Sequence, residues 1–233
     1  MGTNFSADIG ASDDYCHLIK LPHELNVWDV ELLVNDPEDF YIKKILNLKL
    51  PRFDEKKSAI YDNLKKIIKC YCLEQPLDDL LSTLRNLDFF VYQKALNLID
   101  FLGGLPQKGN AKNCISGSMY IPELGIKLSG CADRIEENED FSTLISYQFS
   151  ANKSKKEIIG EGSSALLSLC LIAKNRGFSG VTMPIKSIQI WNLMAPEEKQ
   201  IIAKEFSVTE EKLEVAQNRL ITNLKLYAKS ATQ

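Results

Sequence analysis

Apolar residues in the first half of the chain recur every three or four positions, which is the period of helices that cover a core. The pattern predicts helices over residues 27–33, 38–48 and 57–72, and one or two more within 76–101. The third helix has an apolar side, and its other face carries lysines at 65, 66 and 69. Residues 1–26 are predicted to be a flexible lead-in and a loop.

The period changes to two after the glycine-containing loop at residues 103–113. Alternating apolar and polar positions predict strands over 114–121, 125–135, 143–149 and 186–193. The stretch 163–174 is apolar on almost every side, which predicts a buried helix on the sheet. Further helices are predicted over 196–206 and after the capping box Ser207–Glu210.

This order of elements predicts an α/β fold, with a mixed sheet core flanked by helices and a helical N-terminal part. The expected division is a lead-in over 1–26, a helical part over 27–112, an α/β core over 113–195 and C-terminal helices over 196–233. A chain of 233 residues with 45% hydrophobic residues can bury such a core.

Composition narrows the possible functions. The net charge of −3 indicates that the chain as a whole is not a basic nucleic-acid binder, although a local basic face is compatible with it. The six cysteines are scattered without the spacing of a zinc knuckle or a redox pair, so we expect reduced thiols. The polar start is unlike a signal peptide, and no apolar run is long enough for a membrane span, so we expect a cytoplasmic protein without membrane contact.

Candidate chemistry is concentrated in residues 128–150. Asp133 stands near the end of one predicted strand, and Ser146 and Gln148 stand on the next. The run Ala132-Asp133-Arg134-Ile135, the segment Val30–Tyr41 and the basic connection around Lys155 occur in the order typical of one family. Together they resemble the PD-(D/E)XK nucleases of the RecB type, in particular the C-terminal nuclease domain of AddB, a subunit of a bacterial helicase–nuclease for double-strand-break repair.

The resemblance implies a restriction-endonuclease-like fold and a DNA substrate in the bacterial cytoplasm. It also implies Mg²⁺ or Mn²⁺ held by carboxylates, with a lysine that activates water or stabilises developing charge. Asp133 matches the first acid of that family. Ser146 stands where the second acid is expected, and Gln148 stands where the lysine is expected.

Other positions depart from the family as well. The helical histidine of the family is missing between Tyr61 and Lys66, and the polar positions of the next helix are Ser164 and Ser168. A serine hydroxyl is a poor Mg²⁺ ligand without carboxylates, and glutamine carries no charge. We therefore expect vestigial, inactive motif positions and no metal site, with Asp133 as a ligand if any metal binds.

Several residues keep two interpretations at this point. Lysines on the 57–72 helix and the basic connection could contact DNA phosphates or could simply face solvent; these are Lys65, Lys66, Lys69, Lys153, Lys155 and Lys156. The acids at 136, 137, 139 and 140 are expected in a solvated turn rather than at a metal. Trp28 and Trp191 are expected in the core.

Three hypotheses follow. The first is a degenerate AddB/RecB-like domain that binds DNA or acts as a scaffold in repair, with a helicase–nuclease subunit as a possible partner. The second is an active Mg²⁺- or Mn²⁺-dependent DNA nuclease that recruits other acids such as Glu123 or Glu161. The third is a protein-interaction module without a nucleic-acid role.

Overall fold

The computed structural model describes residues 21–48, 55–105, 111–149 and 164–229. Its strands are β1 (Glu24–Asn26), β2 (Ala111–Ile121), β3 (Ile126–Glu137), β4 (Ser142–Gln148), β5 (Ile185–Asn192) and β6 (Ile202–Ser207). Its α-helices are α1 (Val27–Asn35), α2 (Pro37–Phe40), α3 (Glu55–Cys72), α4 (Asp78–Leu87), α5 (Phe89–Gly104), α6 (Ala165–Lys174) and α7 (Glu210–Lys229).

The long strand β3 organises a six-stranded mixed sheet. One edge of β3 pairs antiparallel with β2 from Ile126 to Glu136. Its other edge is shared, because β1 pairs in parallel near the start of β3 and β4 pairs antiparallel near its end. Beyond β4 come β5, in parallel, and β6, antiparallel to β5. Among the described strands, none pairs with the middle of β3 on that side.

The larger apolar core joins one face of the sheet to α1, α6 and α7. Helix α6 is buried along nearly its whole length, as a helix covered by a sheet and two other helices must be. Gly130 of β3 allows this close packing, since an added Cβ would stand 2.6 Å from a Leu169 methyl and 2.9 Å from a Val27 methyl. A side chain at position 130 would push α1 and α6 off the sheet.

A second core lies on the other side of the sheet, beneath α3, α4 and α5. Trp191 of β5 is its largest buried side chain, and its ring meets that of Phe101 edge to face. Ile145 and Tyr147 of β4 also belong to this core, while Leu144 belongs to the first one. The alternation along β4 therefore attaches a helical layer to each face of the sheet.

The predicted fold class is confirmed as a mixed α/β fold with a strand core flanked by helices. All four predicted strands and the buried helix are present with shifted ends, and 76–101 forms two helices. Trp191 is in the core as expected. Within the described ranges, no helix has the length and apolar character needed to cross a membrane.

Several local predictions are wrong. Residues 196–206 contain a single 3-10 turn, Glu198–Gln200, followed by β6, because this segment pairs with the open edge of β5. Residues 24–26, assigned to the lead-in, form β1 on β3. The helix expected to reach residue 48 ends in a π-helical turn, Tyr41–Ile45, which leaves Leu46 and Leu48 exposed.

The acids at 136 and 137 are not in a solvated turn, because β3 continues through Glu137. The side chain of Glu137 is nearly buried, and its Oε1 accepts from the Thr182 backbone N–H at 2.7 Å and the Met183 backbone N–H at 3.0 Å. Burial raises the pKa of this carboxyl, but these two bonds and the charge of Lys112 outweigh burial and leave it below the ordinary 4.5. Glu137 therefore anchors the loop before β5.

We predict that Glu137→Gln lowers the free energy of unfolding at pH 7 by about 1–3 kcal/mol, because charged acceptors make stronger hydrogen bonds. A depressed carboxyl pKa contributes stability above the unfolded-state pKa, and this is lost as the pH falls through the folded-state value. The difference between wild type and variant should therefore shrink below about pH 4.5. Urea unfolding at several pH values measures it, with Glu123→Gln in the exposed β2–β3 turn as the control. A pH-independent difference would contradict this role.

Candidate functional site

Strands β3 and β4 separate beside Asp133. Their pairing ends at Arg134 and Ile145, so the next stretch of β4 has no backbone partner on β3. The Asp133 carboxylate takes that place, because its Oδ2 accepts the backbone N–H of Tyr147 at 2.9 Å. A side chain of β3 thus satisfies a backbone group that the separated strands would leave unpaired.

The other oxygen of Asp133 receives a cation from helix α3. Lys65 Nζ forms an ion pair with Oδ1, and the side chains retain only 29% exposure for Lys65 and 18% for Asp133. Burial lowers the pKa of the Lys65 ammonium, but the charge of Asp133 and the hydrogen bond to it outweigh burial, so the pKa lies above 10.5. Lys65 therefore stays protonated and neutralises Asp133 at any physiological pH.

Tyr61, one helical turn before Lys65, completes the contact between α3 and β4. Its hydroxyl donates to the backbone carbonyl of Tyr147 at 2.5 Å. Lys65 Nζ also lies 4.8 Å from the centre of the Tyr61 ring, within range of a cation–π interaction. Burial and the charge of Asp133 raise the pKa of the Tyr61 phenol, so it remains a hydrogen-bond donor.

The backbone of β2 and β3 is irregular at this point. Cys114, opposite Asp133, has a φ of +50°, a conformation that non-glycine residues adopt rarely and at a cost. In β3 both Ala132 and Ile135 face the first core, so the alternation shifts by one residue between them. The shift turns Arg134 towards the second core, where its guanidinium lies 5.8 Å from the centre of the Trp191 ring.

An open cleft of about 640 Å³ lies beside the separated strands. Ser146 and Gln148 of β4 lie in it together with Asp133, Lys65 and Tyr61. Its rim includes Trp28, Cys114 and Cys131. Trp28 is 43% exposed, so the prediction that it is a core residue is wrong; its ring borders the cleft instead.

The fold thus brings together Asp133, Ser146 and Gln148, the three positions expected from sequence as a vestigial motif. Lys65, expected as a phosphate contact, is engaged by Asp133 instead. Lys66 and Lys69 are exposed on α3 outside the cleft lining. Lys153, Lys155 and Lys156 lie outside the described residues.

The donor set of the cleft does not fit Mg²⁺ or Mn²⁺, which require several oxygen ligands with carboxylates among them. Asp133 supplies the one carboxylate among the described residues of the lining, and an internal ammonium already binds it. No group of three or more His, Cys, Asp or Glu in the described ranges could hold a metal ion. Glu123 precedes β3, which begins at Ile126. Ile126 is itself about 23 Å from Asp133 along the strand at the usual rise per residue. Glu161 lies outside the described residues.

The contacts that Lys65, Tyr61 and Arg134 make were not predicted from the sequence. Arg134 Nη2 pairs with Glu136 at 2.6 Å, and its Nε donates to the same carboxylate at 2.8 Å. Burial lowers the pKa of this guanidinium, but the charge of Glu136 outweighs burial and raises it. The spacing of Tyr61 and Lys65 could have indicated their shared role, because residues four apart on a helix lie on one face.

Comparisons with known proteins add relatives without a described activity. No protein-family model matches the chain. An uncharacterized protein of Rickettsia bellii is 28% identical over 92% of this chain, and one of Rickettsia typhi is 29% identical over 75%. The chain spans 31% and 24% of the lengths of these two proteins. Among solved structures, the crystal structure of SSO0001 superposes over 88% of this chain and 78% of its own, with 11% identity and a TM-score of 0.44. These comparisons assign no family.

Two tyrosines of the site provide a matched test of its hydrogen bonds. Tyr61→Phe removes the donor to the Tyr147 carbonyl, so we expect a loss of about 1 kcal/mol in unfolding free energy. Tyr147→Phe should cost nothing or stabilise slightly, because the buried Tyr147 hydroxyl has no hydrogen-bond partner among the described residues. Guanidinium unfolding of both variants measures the two values. A Tyr147→Phe loss as large as that of Tyr61→Phe would contradict this description.

Proposed function

We propose that this chain is a nuclease-like domain of the PD-(D/E)XK type, similar to the nuclease domain of AddB, that has lost hydrolysis and binds DNA. Its role would be that of a DNA-binding or scaffold element in double-strand-break repair in the bacterial cytoplasm. The observation that carries the proposal is the Lys65 ammonium on Asp133, beside Ser146 and Gln148.

Loss of hydrolysis is supported by the charge balance of the cleft. A divalent metal positions water and neutralises phosphate charge only where carboxylates can hold it. Here the Asp133 carboxylate is committed to Lys65 and to the backbone of Tyr147. Ser146 and Gln148 add neutral oxygen atoms, which bind Mg²⁺ too weakly to replace two carboxylates.

Binding of nucleic acid is supported by the chemistry of the cleft and of α3. The exposed Trp28 ring offers a surface on which a base can stack, and Gln148 offers an amide that can bond to base edges. Lys69 lies one turn from Lys65 along α3 and is exposed, as is Lys66. Phosphate contacts from such lysines add affinity that does not depend on sequence.

A scaffold role within a larger assembly is supported by length. The chain spans 31% of its Rickettsia bellii relative, so it corresponds to one part of a longer protein there. A helicase–nuclease subunit is the partner that the resemblance to AddB implies. In such an assembly a non-cleaving domain can hold or guide the DNA while another subunit acts on it.

The test is to incubate the chain with labelled single- and double-stranded DNA, with Mg²⁺ or Mn²⁺, and to measure cleavage and binding together. We expect no cleavage, and binding that weakens steeply as salt rises, because phosphate contacts release counterions. Lys66→Gln with Lys69→Gln should weaken binding about tenfold and reduce the salt slope by about 2. The control is Lys127→Gln with Lys225→Gln, which removes the same charge from exposed positions away from the cleft.

Cleavage that disappears in Asp133→Asn would contradict the loss of hydrolysis and favour the active nuclease. Binding that weakens equally in the control variant would show that only net charge matters. A Trp28→Ala variant tests stacking separately, since removal of one aromatic platform should weaken single-strand binding by about 1–3 kcal/mol. No binding at low salt would refute the DNA-binding role.

One observation favours the protein-interaction module as a second candidate. Three large apolar side chains are exposed around the junction of α4 and α5, namely Leu87 at 58%, Phe89 at 64% and Phe90 at 58%. Grouped apolar side chains of this size are typical of surfaces that bind other proteins. Replacing the two phenylalanines by serine should abolish a protein complex without changing DNA affinity, which distinguishes this candidate from the first.

A further inference from the structure

A second cavity of about 580 Å³ lies at the opposite end of strands β4 and β5 from the cleft. The cleft contains Ser146 and Gln148, near the end of β4, whereas this cavity is bordered by Ile185 and Lys186, where β5 begins. The C-terminal end of α6, the loop at 181–184 and the start of α7 form the other walls. Its volume is within the range of small-ligand sites.

The walls combine an apolar floor with a basic rim. Cys170, Val181, Val208 and Leu213 form the floor, and Cys170 is fully enclosed. The rim carries Lys174, Arg176 and Lys186, with Glu210 as the one carboxylate among the described residues that line the cavity.

Two of the three cations are available to a ligand. Lys174 is paired with Glu210, which cancels one charge of each sign. Arg176 and Lys186 are both exposed, and neither forms an ion pair within the described part of the chain. The Thr209 hydroxyl also borders the cavity and can donate to an anion, whereas the Thr182 hydroxyl already donates to Glu137 Oε1 at 3.3 Å.

Arg176 has a backbone conformation that is unusual for an arginine. Arg176 follows the end of α6 with a φ of +56°, a position where glycine or asparagine is usual because other side chains are strained. An arginine there costs stability, so the turn itself does not favour this residue. Its guanidinium can bind a phosphate through two parallel hydrogen bonds.

One wall of the cavity is held rigidly from behind. Glu137 binds the backbone N–H groups of Thr182 and Met183, and the Ser142 hydroxyl donates to the Met183 carbonyl at 3.1 Å. The Ser142 N–H donates to the Pro184 carbonyl at 2.8 Å. A loop fixed in this way loses little conformational entropy when a ligand binds beside it.

We propose that this cavity binds a phosphate monoester whose organic part presents an apolar face, such as the flat base of a nucleoside monophosphate. Arg176 and Lys186 match the two negative charges of the phosphate, and the floor around Val181 and Leu213 covers the apolar part. The phosphate could belong to a free nucleotide or to the 5′ end of a nucleic acid. The site does not depend on DNA binding in the cleft.

The test uses isothermal titration of the full chain with adenosine 5′-monophosphate, adenosine and inorganic phosphate. We expect the monophosphate to bind at least tenfold more tightly than either part, since it alone satisfies both rim and floor. Arg176→Asn with Lys186→Gln should weaken it about tenfold or more. Asparagine tolerates the backbone at 176, so this variant should fold. The matched control, Lys127→Gln with Lys225→Gln, should bind as wild type does.

A 5′-phosphorylated oligonucleotide and its unphosphorylated form identify the source of the phosphate. A preference for the phosphorylated form that vanishes in Arg176→Asn/Lys186→Gln, but not in Lys66→Gln/Lys69→Gln, would support a nucleic-acid end. Binding of the mononucleotide alone would support a free ligand. No saturable binding of the monophosphate, or binding of inorganic phosphate just as tightly, would overturn the proposal. Equal weakening in the control variant would overturn it as well.

Discussion

The Asp133 carboxylate joins β3 to β4 and to helix α3 at the point where β3 and β4 separate. One of its oxygens replaces a backbone partner for Tyr147, and the other binds Lys65 of the helical layer. A carboxylate with this little exposure needs such partners, because an unpaired buried charge is costly. The contact between α3 and β4 beside the cleft depends on this side chain and its two partners, while the buried Leu64, Ile67 and Ile68 hold the rest of α3 on the second core.

The same contacts set what the cleft can do. A site for phosphodiester hydrolysis needs an excess of negative charge to hold a divalent cation, whereas here one negative charge meets one positive charge. What remains is an open groove with an aromatic rim and neutral polar groups, which is the basis of the proposed binding role. At the other end of the sheet the balance is reversed, since Arg176 and Lys186 leave positive charge unopposed around an apolar floor.

The period of the apolar residues was sufficient to predict four of the six strands, the buried α6 and helical structure over α4 and α5, because each buries a face that the pattern reveals. The same pattern failed to predict β6. Ile202 of this strand is partly exposed, and β6 forms because it pairs with β5 rather than because its own residues alternate. The motif positions in the cleft could be found from sequence, because the run Ala132–Ile135 and the next predicted strand resemble the motif of a known family. The partner of Asp133 could not, because Lys65 is 68 residues away and only the packing of α3 brings it there.

Calorimetric titration with Mn²⁺ tests most directly whether Lys65 has taken the place of a metal at Asp133. Wild type and Asp133→Asn should give the same heats, with no saturable binding that depends on Asp133. Lys65→Ala combined with Ser146→Asp restores two free carboxylates, and it should gain Mn²⁺ affinity that a further Asp133→Asn removes. Saturable Mn²⁺ binding by the wild type that Asp133→Asn abolishes would instead mean that Asp133 still serves as a metal ligand.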